Sequence, residues 1–353
     1  MQNFLFRHNI KDKVIAFGVS GGADSLALVL MAKEQLEVYG YKIVALTVDH
    51  GLREKSAVEA QYVAEVMQKY GIEHHILKWI GEKPNTAVEE TARIMRYNLL
   101  REWCFNNNVK VLMTAHHAQD QAETFLMRIG RGSGLDGLCC IREMSKFNGL
   151  VILRPLLNNM PEDMRNYLHN HHVAWMEDES NDDTRYLRNK IRRFLPTLAE
   201  QLNIDVYKIV QTVKCLQNAE DYIETQLDEI LKNQVLVDFE AVYSFKYTDY
   251  LQWHSEMKFR VLAHLCRRFY IPRAERVLSV ISKLDKLPFS GVTLGNKEIF
   301  LSYGRVWVAP EIGAKRKTSR VEWKDFIASY PTYVKKRIPH KARVAILEQW
   351  KKQ

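Results

Sequence analysis

One short segment constrains the fold of this sequence more than any other. Residues 14–19 form an apolar run, which predicts a buried strand of a parallel sheet. The sequence Ser-Gly-Gly-Ala-Asp-Ser follows at positions 20–25, and an apolar helix begins near Ser25. Two adjacent glycines let the backbone turn tightly and approach a ligand, and a helix N-terminus offers unpaired N–H groups and a positive dipole end. The segment therefore predicts an anion-binding loop between a strand and a helix.

The side chains of this loop favour a phosphate that is held together with a metal ion. The hydroxyls of Ser20 and Ser25 add hydrogen-bond donors, whereas the carboxylate of Asp24 alone would repel a phosphate. A Mg²⁺ ion between the carboxylate and the phosphate would remove that conflict. The loop differs from the Walker loop, which needs Gly-Lys-Ser/Thr. A plain glycine-rich turn is the alternative, and the two serines with Asp24 after a clean strand favour the phosphate loop over it.

The first half of the sequence alternates strand and helix patterns, which predicts a parallel sheet. The predicted strands are 14–19, 43–48, 73–78, 109–114 and 150–153. The predicted helices are 25–38, 56–70, 86–105, 120–129 and 161–172. We therefore expect residues 1–200 to form an α/β catalytic domain with a parallel five-stranded sheet and helices on both faces.

A mainly helical second domain with a small β element is predicted for residues 201–353. A break is expected near 195–205, followed by a long amphipathic helix at 206–232. Further elements are two helices at 257–270 and 273–285 and strands within 290–309, with turns at Gly295-Asn296 and Tyr303-Gly304.

The charge of the chain points to a polyanionic partner. The net charge is +9, and residues 311–353 are strongly basic. Such a segment suits RNA, although a solvated surface helix is an equally good reading of this tail alone.

The hydrophobic content of 46% is ordinary for a globular protein, and no apolar run reaches the ~18 residues of a membrane helix. The first residues lack the apolar core of a secretory signal, so we expect a cytoplasmic protein that does not associate with membranes. No obligatory protein partner is indicated. The five cysteines form no C-x-x-C pair, which argues against a disulfide framework, a zinc site or an iron–sulfur site.

Two carboxylates follow other predicted strands. Asp49 ends the strand at 43–48 and begins the run Asp-His-Gly-Leu-Arg, and Asp120 opens a helix after the strand at 109–114. In an open α/β sheet, ligands bind beyond the carboxyl ends of the strands, so these side chains are expected on the same rim as the glycine loop. Asp24 and Asp120 could converge on one Mg²⁺. The alternatives are a turn residue for Asp49 and compensation of the helix dipole for Asp120.

Basic residues follow further along the chain. Arg131 lies at the base of a loop with four glycines, and such backbone amides with an arginine suit a phosphate or a nucleotide, although a mobile surface loop gives the same pattern. An acidic turn at 177–181 precedes a basic helix, which predicts a surface facing RNA, with an exposed charged helix as the alternative. The arginines predicted to contact RNA are Arg154, Arg185, Arg188 and Arg192.

Taken together, these motifs resemble the tRNA(Ile)-lysidine synthase family of the PP-loop ATP-pyrophosphatase superfamily. The resemblance spans roughly residues 14–196 and is looser beyond them. Its motifs are Ser-Gly-Gly-Ala-Asp-Ser at 20–25, Val-Asp-His-Gly-Leu-Arg at 48–53, Arg-x-x-Arg-Tyr at 93–97, Asp-Gln-Ala-Glu-Thr at 120–124, Arg-Gly-Ser-Gly-Leu-Asp-Gly-Leu at 131–138, Arg-Pro-Leu-Leu at 154–157 and Ser-Asn…Arg-Asn-Lys-Ile-Arg at 180–192. The first motif is shared by the whole superfamily, whereas the later ones in this order are more specific.

The resemblance implies an ATP-dependent ligase that acts on a CAU-anticodon tRNA(Ile). The wobble cytidine would be adenylated at the C2 oxygen with release of pyrophosphate, and free L-lysine would then displace AMP to form lysidine. The codon read by the tRNA would change from AUG to AUA, and its identity from Met to Ile.

The resemblance also assigns roles to residues. Asp24 and Asp120 would hold Mg²⁺, and Arg131 would steady a phosphate or the tRNA. The groups implied to bind ATP are Ser20, Gly21, Gly22, Ala23, Asp24, Ser25 and Asp49. Lysine needs an acidic contact, for which Glu123, Asp136 and Glu177 are candidates.

One position departs from the family pattern, because Gln119 stands where a first acidic residue is common. Three rival functions remain open at this point: a PP-loop tRNA thiolase, a ligase that amidates a small molecule, and a non-catalytic tRNA-binding homologue. The thiolase usually needs a reactive cysteine or C-x-x-C, and the basic segments disfavour a small-molecule enzyme.

Overall fold

The computed structural model describes residues 1–51, 55–81, 88–177, 186–267, 270–312, 320–333 and 336–352. The chain consists of two compact units, Met1–Asn218 and Ala219–Gln353. The predicted RNA contact Arg185, and Arg53 of the motif that begins at Val48, lie outside the described residues. None of the described helices is both long enough and apolar enough to cross a bilayer.

The first unit alternates strands and helices, as the sequence predicts. Its strands are β1 (Val14–Gly18), β2 (Lys42–Asp49), β3 (Glu73–Lys78), β4 (Val111–Met113), β5 (Met144–Phe147) and β6 (Leu150–Leu153). Its helices are α1 (Gln2–Arg7), α2 (Ala23–Leu36), α3 (Lys55–Lys69), α4 (Val88–Asn106), α5 (Ala118–Gly130), α6 (Leu135–Leu138), α7 (Pro161–Asn170) and α8 (Leu187–Leu202). The long helix α9 (Val206–Asn233) contains the division between the two units.

The strands of the first unit form one sheet in the order β3-β2-β1-β4-β6-β5. Five of them are parallel, which confirms the predicted α/β class, and β5 is an additional strand that runs antiparallel to β6. Asn148 and Gly149 connect β5 to β6 with positive φ angles of 46° and 89°. This Asn-Gly turn is the strongest short-range hairpin signal, and it explains how four half-exposed residues become an edge strand.

Helices cover both faces of this sheet, because alternate residues of a strand point to opposite sides. Ile15 and Phe17 of β1 belong to a core that α1, α2, α3 and α7 complete, whereas Ala16 belongs to the core beneath α4. Helix α2 is buried on nearly every side, and residues 25–30 are all buried. The loop that precedes α2 is therefore anchored by a strand and a helix that lie in the core.

The break predicted near 195–205 lies at residues 203–205, between α8 and α9, and not at the proline within this range. Pro196 lies inside α8, which continues to Leu202 and ends at Asn203 with φ of 54°. Leu195 is buried, and Leu198 packs in the same cluster with residues of α5 and α9. This apolar face stabilises the helix on both sides of the proline, although proline removes one backbone hydrogen bond.

The second unit contains an antiparallel sheet in addition to helices. Its strands are β7 (Val235–Phe239), β8 (Val242–Lys246), β9 (Val292–Leu294), β10 (Lys297–Ser302) and β11 (Arg305–Pro310), in the order β7-β8-β11-β10-β9. Its helices are α10 (Tyr247–Gln252), α11 (Ser255–Leu265), α12 (Ala274–Leu284), α13 (Arg320–Ser329) and α14 (His340–Trp350). The predicted turns at Gly295-Asn296 and Tyr303-Gly304 are present, each with two positive φ angles. Strands β7 and β8 were not predicted.

Candidate functional site

A cleft of about 810 Å³ opens in the first unit beside the loop that follows β1. Pockets of this size are typical of small-molecule and cofactor sites. The residues that line it come from the loop itself, from β2, α3, α4, α5, α7 and α8, and from the segments that follow β4 and α7. The cleft therefore lies where the carboxyl ends of the parallel strands meet, as the sheet topology requires.

The loop after β1 is held in shape by its own serines. The Ser25 hydroxyl donates to the carbonyl oxygen of Gly22 over 3.0 Å and accepts from the backbone N–H of Ser20 over 3.1 Å. The hydroxyl oxygens of Ser20 and Ser25 lie 3.3 Å apart. Gly22 precedes the first residue of α2 and forms no side-chain cap, so the N-terminus of α2 is available to an anion.

Gly21 takes a backbone conformation that other residues rarely adopt, with φ of 85°. A Cβ atom at this position would lie 3.3 Å from Cγ2 of Val63 and 3.7 Å from Cγ of Met176. The Met176 N–H also donates to the Gly21 carbonyl oxygen over 3.0 Å. The segment after α7 thus packs directly against the loop, and the site requires glycine here for both conformation and space.

His117 lies between the two carboxylates that the sequence singles out. Its Nε2 atom is 3.6 Å from Oδ2 of Asp24 and 3.6 Å from Oδ2 of Asp120. The same histidine caps α5, because its Nδ1 accepts from the Asp120 N–H while its own N–H donates to Asp120 Oδ2. The structure therefore brings together Asp24 and Asp120, which are far apart in the sequence.

Burial and neighbouring charges act differently on these two carboxyls. Burial raises the pKa of Asp24, and the charge of Asp120 adds to this effect. Burial would also raise the pKa of Asp120, but electrostatic interactions with His117, His116 and Arg188 and the hydrogen bond from the His117 backbone outweigh it, so the pKa of Asp120 is lowered. Burial depresses the pKa of the His116 imidazole to about 3. Asp120 is therefore the more readily ionised carboxyl of the pair.

A third acidic group, Glu123, binds two arginines from α8. Arg192 Nε donates to Glu123 Oε1 over 2.7 Å, and Arg188 Nε lies 3.2 Å from Glu123 Oε2. Glu123 has no exposed surface, whereas both arginines line the cleft. Burial raises the pKa of Glu123, although its hydrogen bond with Arg192 opposes the shift. The basic helix that the sequence predicts therefore faces the same cleft as the glycine loop.

The cleft as a whole favours a polyanion. Two arginines of α4 contact the ring of Tyr97, with guanidinium carbons 5.4 and 5.6 Å from its centroid. Arginine binds phosphate groups with several donors in a fixed geometry, so such a lining suits a triphosphate. Among the described residues, the arginines that line the cleft are Arg93, Arg96, Arg165, Arg188 and Arg192.

Several residues singled out in the sequence are absent from this lining, including Gly21, Asp49, Arg131 and Arg154. Asp49 accepts hydrogen bonds from the Ser56 hydroxyl and the Gly51 N–H, and both lower its pKa. Arg131 lies exposed at the end of α5. Arg154 is buried and donates to the Arg142 carbonyl oxygen and the Ser145 hydroxyl. Their roles toward nucleotide, phosphate and RNA stay predictions, and the structure does not bring Arg154 to a surface that an RNA backbone could reach.

The residues of the cleft fit a Mg²⁺ ion. Magnesium is usually bound by one or two carboxylates together with substrate phosphates and water, and Asp24 and Asp120 share one wall of a cleft that has room for both. Among the described residues, no group of three or more His, Cys, Asp or Glu side chains is arranged to hold a metal by itself. Phosphate oxygens and water would therefore complete the coordination.

Sequence reasoning missed two of the groups in this cleft. No role is predicted for His117 from the sequence, although its position three residues before Asp120 gives it the geometry of a helix cap. Arg165 of α7 lines the cleft, and its charge lowers the pKa of Asp24 to a minor extent. No local sequence signal marks Arg165, because only tertiary packing brings its helix to the cleft.

The glycine loop at the end of β1 in a parallel sheet defines a PP-loop protein. A family model described as a PP-loop domain matches residues 2–198. A tRNA(Ile)-lysidine synthase from Wolbachia pipientis wMel is 33% identical over 80% of this chain and 67% of its own length. One from Zymomonas mobilis is 40% identical over 60% of this chain and 63% of its own length. The chain therefore belongs to the tRNA(Ile)-lysidine synthase family.

These matches cover only part of the length of each relative. The chain spans about half to two thirds of the length of the curated relatives it matches. Among solved structures, a U34-tRNA thiolase from Methanococcus maripaludis superposes with a TM-score of 0.51 at 17% identity, over 58% of this chain and 72% of that chain. At this identity the likeness shows the shared fold alone.

Proposed function

We propose that this protein ligates free L-lysine to C2 of the wobble cytidine of a CAU-anticodon tRNA(Ile), with ATP as the energy source. One observation carries the proposal: the glycine loop, the pair Asp24 and Asp120, and the arginines of α8 line a single cleft in a chain of this family. ATP, lysine and tRNA meet in the cytoplasm, which agrees with the location expected from the sequence.

The first step forms a phosphorus–oxygen bond. The cytosine O2 attacks the α-phosphorus of ATP, the bond to the bridging oxygen of the β-phosphate breaks, and pyrophosphate leaves. The loop N–H groups and the hydroxyls of Ser20 and Ser25 would bind the β- and γ-phosphates, where negative charge develops. Mg²⁺ held by Asp24 and Asp120 would supply further neutralisation of that charge.

The second step exchanges oxygen for nitrogen at C2. The ε-amine of lysine attacks C2, the bond between C2 and O2 breaks, AMP leaves with that oxygen, and the nitrogen loses a proton. Adenylation makes this possible because AMP is a far better leaving group than oxide. Of the three acidic candidates for a lysine contact, Glu177 lines the cleft, Glu123 lies beneath it and binds Arg188 and Arg192, and Asp136 is not part of the lining.

A second basic surface, on α12, supports the proposal that residues 201–353 contact tRNA. This helix buries Val277, Val280, Ile281 and Leu284 at helical spacing against the core of its unit. On its exposed side and at its two ends, four cations outnumber the exposed Glu275 and Asp285, and Tyr270 beside the helix is 87% exposed. Cations with an accessible aromatic ring suit a nucleic-acid backbone with an unstacked base. The exposed cations are Arg273, Arg276, Lys283 and Lys286.

The rival chemistry of thiolation finds less support in this cleft. Thiolation by a protein cysteine needs a thiolate in the site, and none of the five cysteines lines the cleft as described. Burial also raises the pKa of Cys140 to about 11, which keeps that side chain a thiol at neutral pH.

Pyrophosphate exchange, followed by product analysis with different second substrates, distinguishes the candidate functions. The protein is incubated with ATP, labelled pyrophosphate and a CAU-anticodon tRNA, and then with lysine, sulfide or ammonia as the second substrate. We expect pyrophosphate exchange only when the tRNA is present. We expect a modified nucleoside only when lysine is the second substrate. Product with sulfide or ammonia, or no exchange at all, would contradict the proposal in favour of a thiolase, an amidating ligase or a non-catalytic RNA-binding protein.

A further inference from the structure

The hydrogen bonding of His117 fixes which of its ring nitrogens carries the proton. Nδ1 accepts a hydrogen bond from the backbone N–H of Asp120 over 3.4 Å, so this nitrogen must present a lone pair. The ring is therefore the tautomer with hydrogen on Nε2. Because His117 is only 6% exposed and caps α5, neither its position nor its orientation depends on solvent.

The protonated nitrogen lies between two carboxylates from different elements. Nε2 is 3.6 Å from Oδ2 of Asp24, in the first turn of α2, and 3.6 Å from Oδ2 of Asp120, in the first turn of α5. The distances are longer than a direct hydrogen bond, so the contact is an electrostatic attraction that both oxygens share. Asp120 is oriented a second time by the His117 backbone N–H over 3.1 Å.

We propose that His117 is a positioning residue that holds Asp24 and Asp120 ready for Mg²⁺·ATP. Its Nδ1 fixes the ring through the helix cap, and its Nε2 attracts the two carboxylates. This inference rests on the proposed function and adds to it the group that orients the metal-binding carboxylates. Groups that orient ligands in this way typically change metal affinity about 10- to 100-fold when they are removed.

Two amide substitutions at His117 test the helix cap and the contact with the carboxylates separately. Asparagine is a good helix cap, and its side-chain oxygen can replace Nδ1 but does not reach the position of Nε2. Glutamine is longer, and its amide nitrogen can replace Nε2 while the cap is lost. His117→Asn should therefore keep the thermal midpoint and lose metal affinity, whereas His117→Gln should lower the midpoint and keep most of the affinity.

The readout is Mn²⁺ binding in the presence of a non-hydrolysable ATP analogue, followed by electron paramagnetic resonance, together with the thermal midpoint of each variant. His254 offers a matched control, because it caps α11 by accepting from the Glu256 N–H over 3.2 Å in the second unit. His254→Gln should lower the midpoint without any change in Mn²⁺ affinity.

We expect His117→Asn to weaken Mn²⁺ binding by about tenfold and His117→Gln by much less. An equal loss in both variants, or no loss in His117→Asn, would overturn the role of His117. Lysidine formation by the unaltered protein tests the proposed function separately. A wild-type protein that makes lysidine beside a His117→Asn variant with unchanged Mn²⁺ affinity would therefore contradict this inference alone.

Discussion

Arg192 donates a 2.7 Å hydrogen bond to Glu123, a carboxylate with no exposed surface. Arg188, one helical turn earlier on α8, lies 3.2 Å from the other oxygen of the same carboxylate. One buried charge therefore fixes two arginines in the wall of the cleft. These ion pairs connect α8 to α5, which also carries Asp120 in its first turn.

Removing this charge should affect both stability and activity. Breaking a fully buried pair destabilises a protein by about 3–5 kcal/mol, but the side chains of Arg188 and Arg192 are 40% and 32% exposed and can regain water. We therefore expect Glu123→Gln to lower the free energy of unfolding by about 1–3 kcal/mol and to reduce pyrophosphate exchange. Urea denaturation and exchange assays would measure the two effects.

Glu37→Gln is the matched control for that variant. Glu37 forms a surface ion pair with Lys33 and is 57% exposed, so its loss should change the free energy of unfolding by less than about 0.5 kcal/mol. Equal effects of the two variants would contradict the special position of Glu123.

Alanine substitutions at two glycines of similar conformation, one inside the loop after β1 and one outside it, should affect ATP binding differently. Gly21 and Gly40 both have positive φ, at 85° and 75°, but a Cβ at Gly21 meets Val63 at 3.3 Å and one at Gly40 meets nothing within 4 Å. Both alanine variants should lose stability from backbone strain. Only Gly21→Ala should also weaken ATP binding, by about tenfold or more, equivalent to at least about 1.4 kcal/mol. Calorimetric titration with ATP checks this, and equal ATP affinity in both variants would argue against the loop as the phosphate site.

The basic side of α12 predicts a salt-dependent contribution to tRNA binding. Reversing both charges, Arg273→Glu with Arg276→Glu, should weaken tRNA binding and reduce the slope of log affinity against log salt by about two. Lys324→Glu on α13, an exposed cation of the same unit, is the control and should leave the slope nearly unchanged. Filter binding at several salt concentrations would show this, and an unaltered slope in the double variant would remove α12 from the RNA surface.

His74 predicts a loss of stability in acid. Burial depresses its pKa from 6.5 to about 4, and its Nε2 lies 2.9 Å from the Thr47 hydroxyl. Between pH 6.5 and 4, His74 therefore binds a proton in the unfolded chain but not in the folded protein. The stabilisation from neutral His74 is fully present above pH 6.5 and decreases as the pH falls toward 4. His74→Gln should flatten this part of the pH dependence in urea denaturation, whereas the exposed His264→Gln should not. The same slope in all three proteins would contradict the assignment.

The sequence predicts the parallel sheet well because the signal is local and repeated. The strands β1, β2, β4 and β6 are short apolar runs, and the rule that ligands bind beyond the carboxyl ends of parallel strands brings Asp24 and Asp120 to one rim. The strand β5 is less apparent because it is half-exposed at an edge, and its only strong signal is the turn at Asn148-Gly149.

That missed strand explains why Arg154 is not at the surface. Arg154 was predicted to contact RNA because it is a basic residue in a motif of the family. In the structure its guanidinium donates to the Ser145 hydroxyl of β5 and to the Arg142 carbonyl just before that strand. The environment of a single arginine depends on tertiary partners that no local pattern specifies, and the same holds for the contact between Glu123 and the arginines of α8.

The central claim is that the loop after β1, with Asp24, activates a cytidine for attack by lysine. The most direct test is mass spectrometry of the nucleoside at the wobble position after incubation of a CAU-anticodon tRNA(Ile) with the protein, ATP and isotope-labelled lysine. Asp163→Ala is the matched control, because Asp163 also lies in the first turn of a helix but outside the cleft lining. We predict a cytidine joined to lysine with loss of one water, formed by the unaltered protein and by Asp163→Ala and absent with Asp24→Ala. An unmodified cytidine with the unaltered protein, or full modification by Asp24→Ala, would contradict the account.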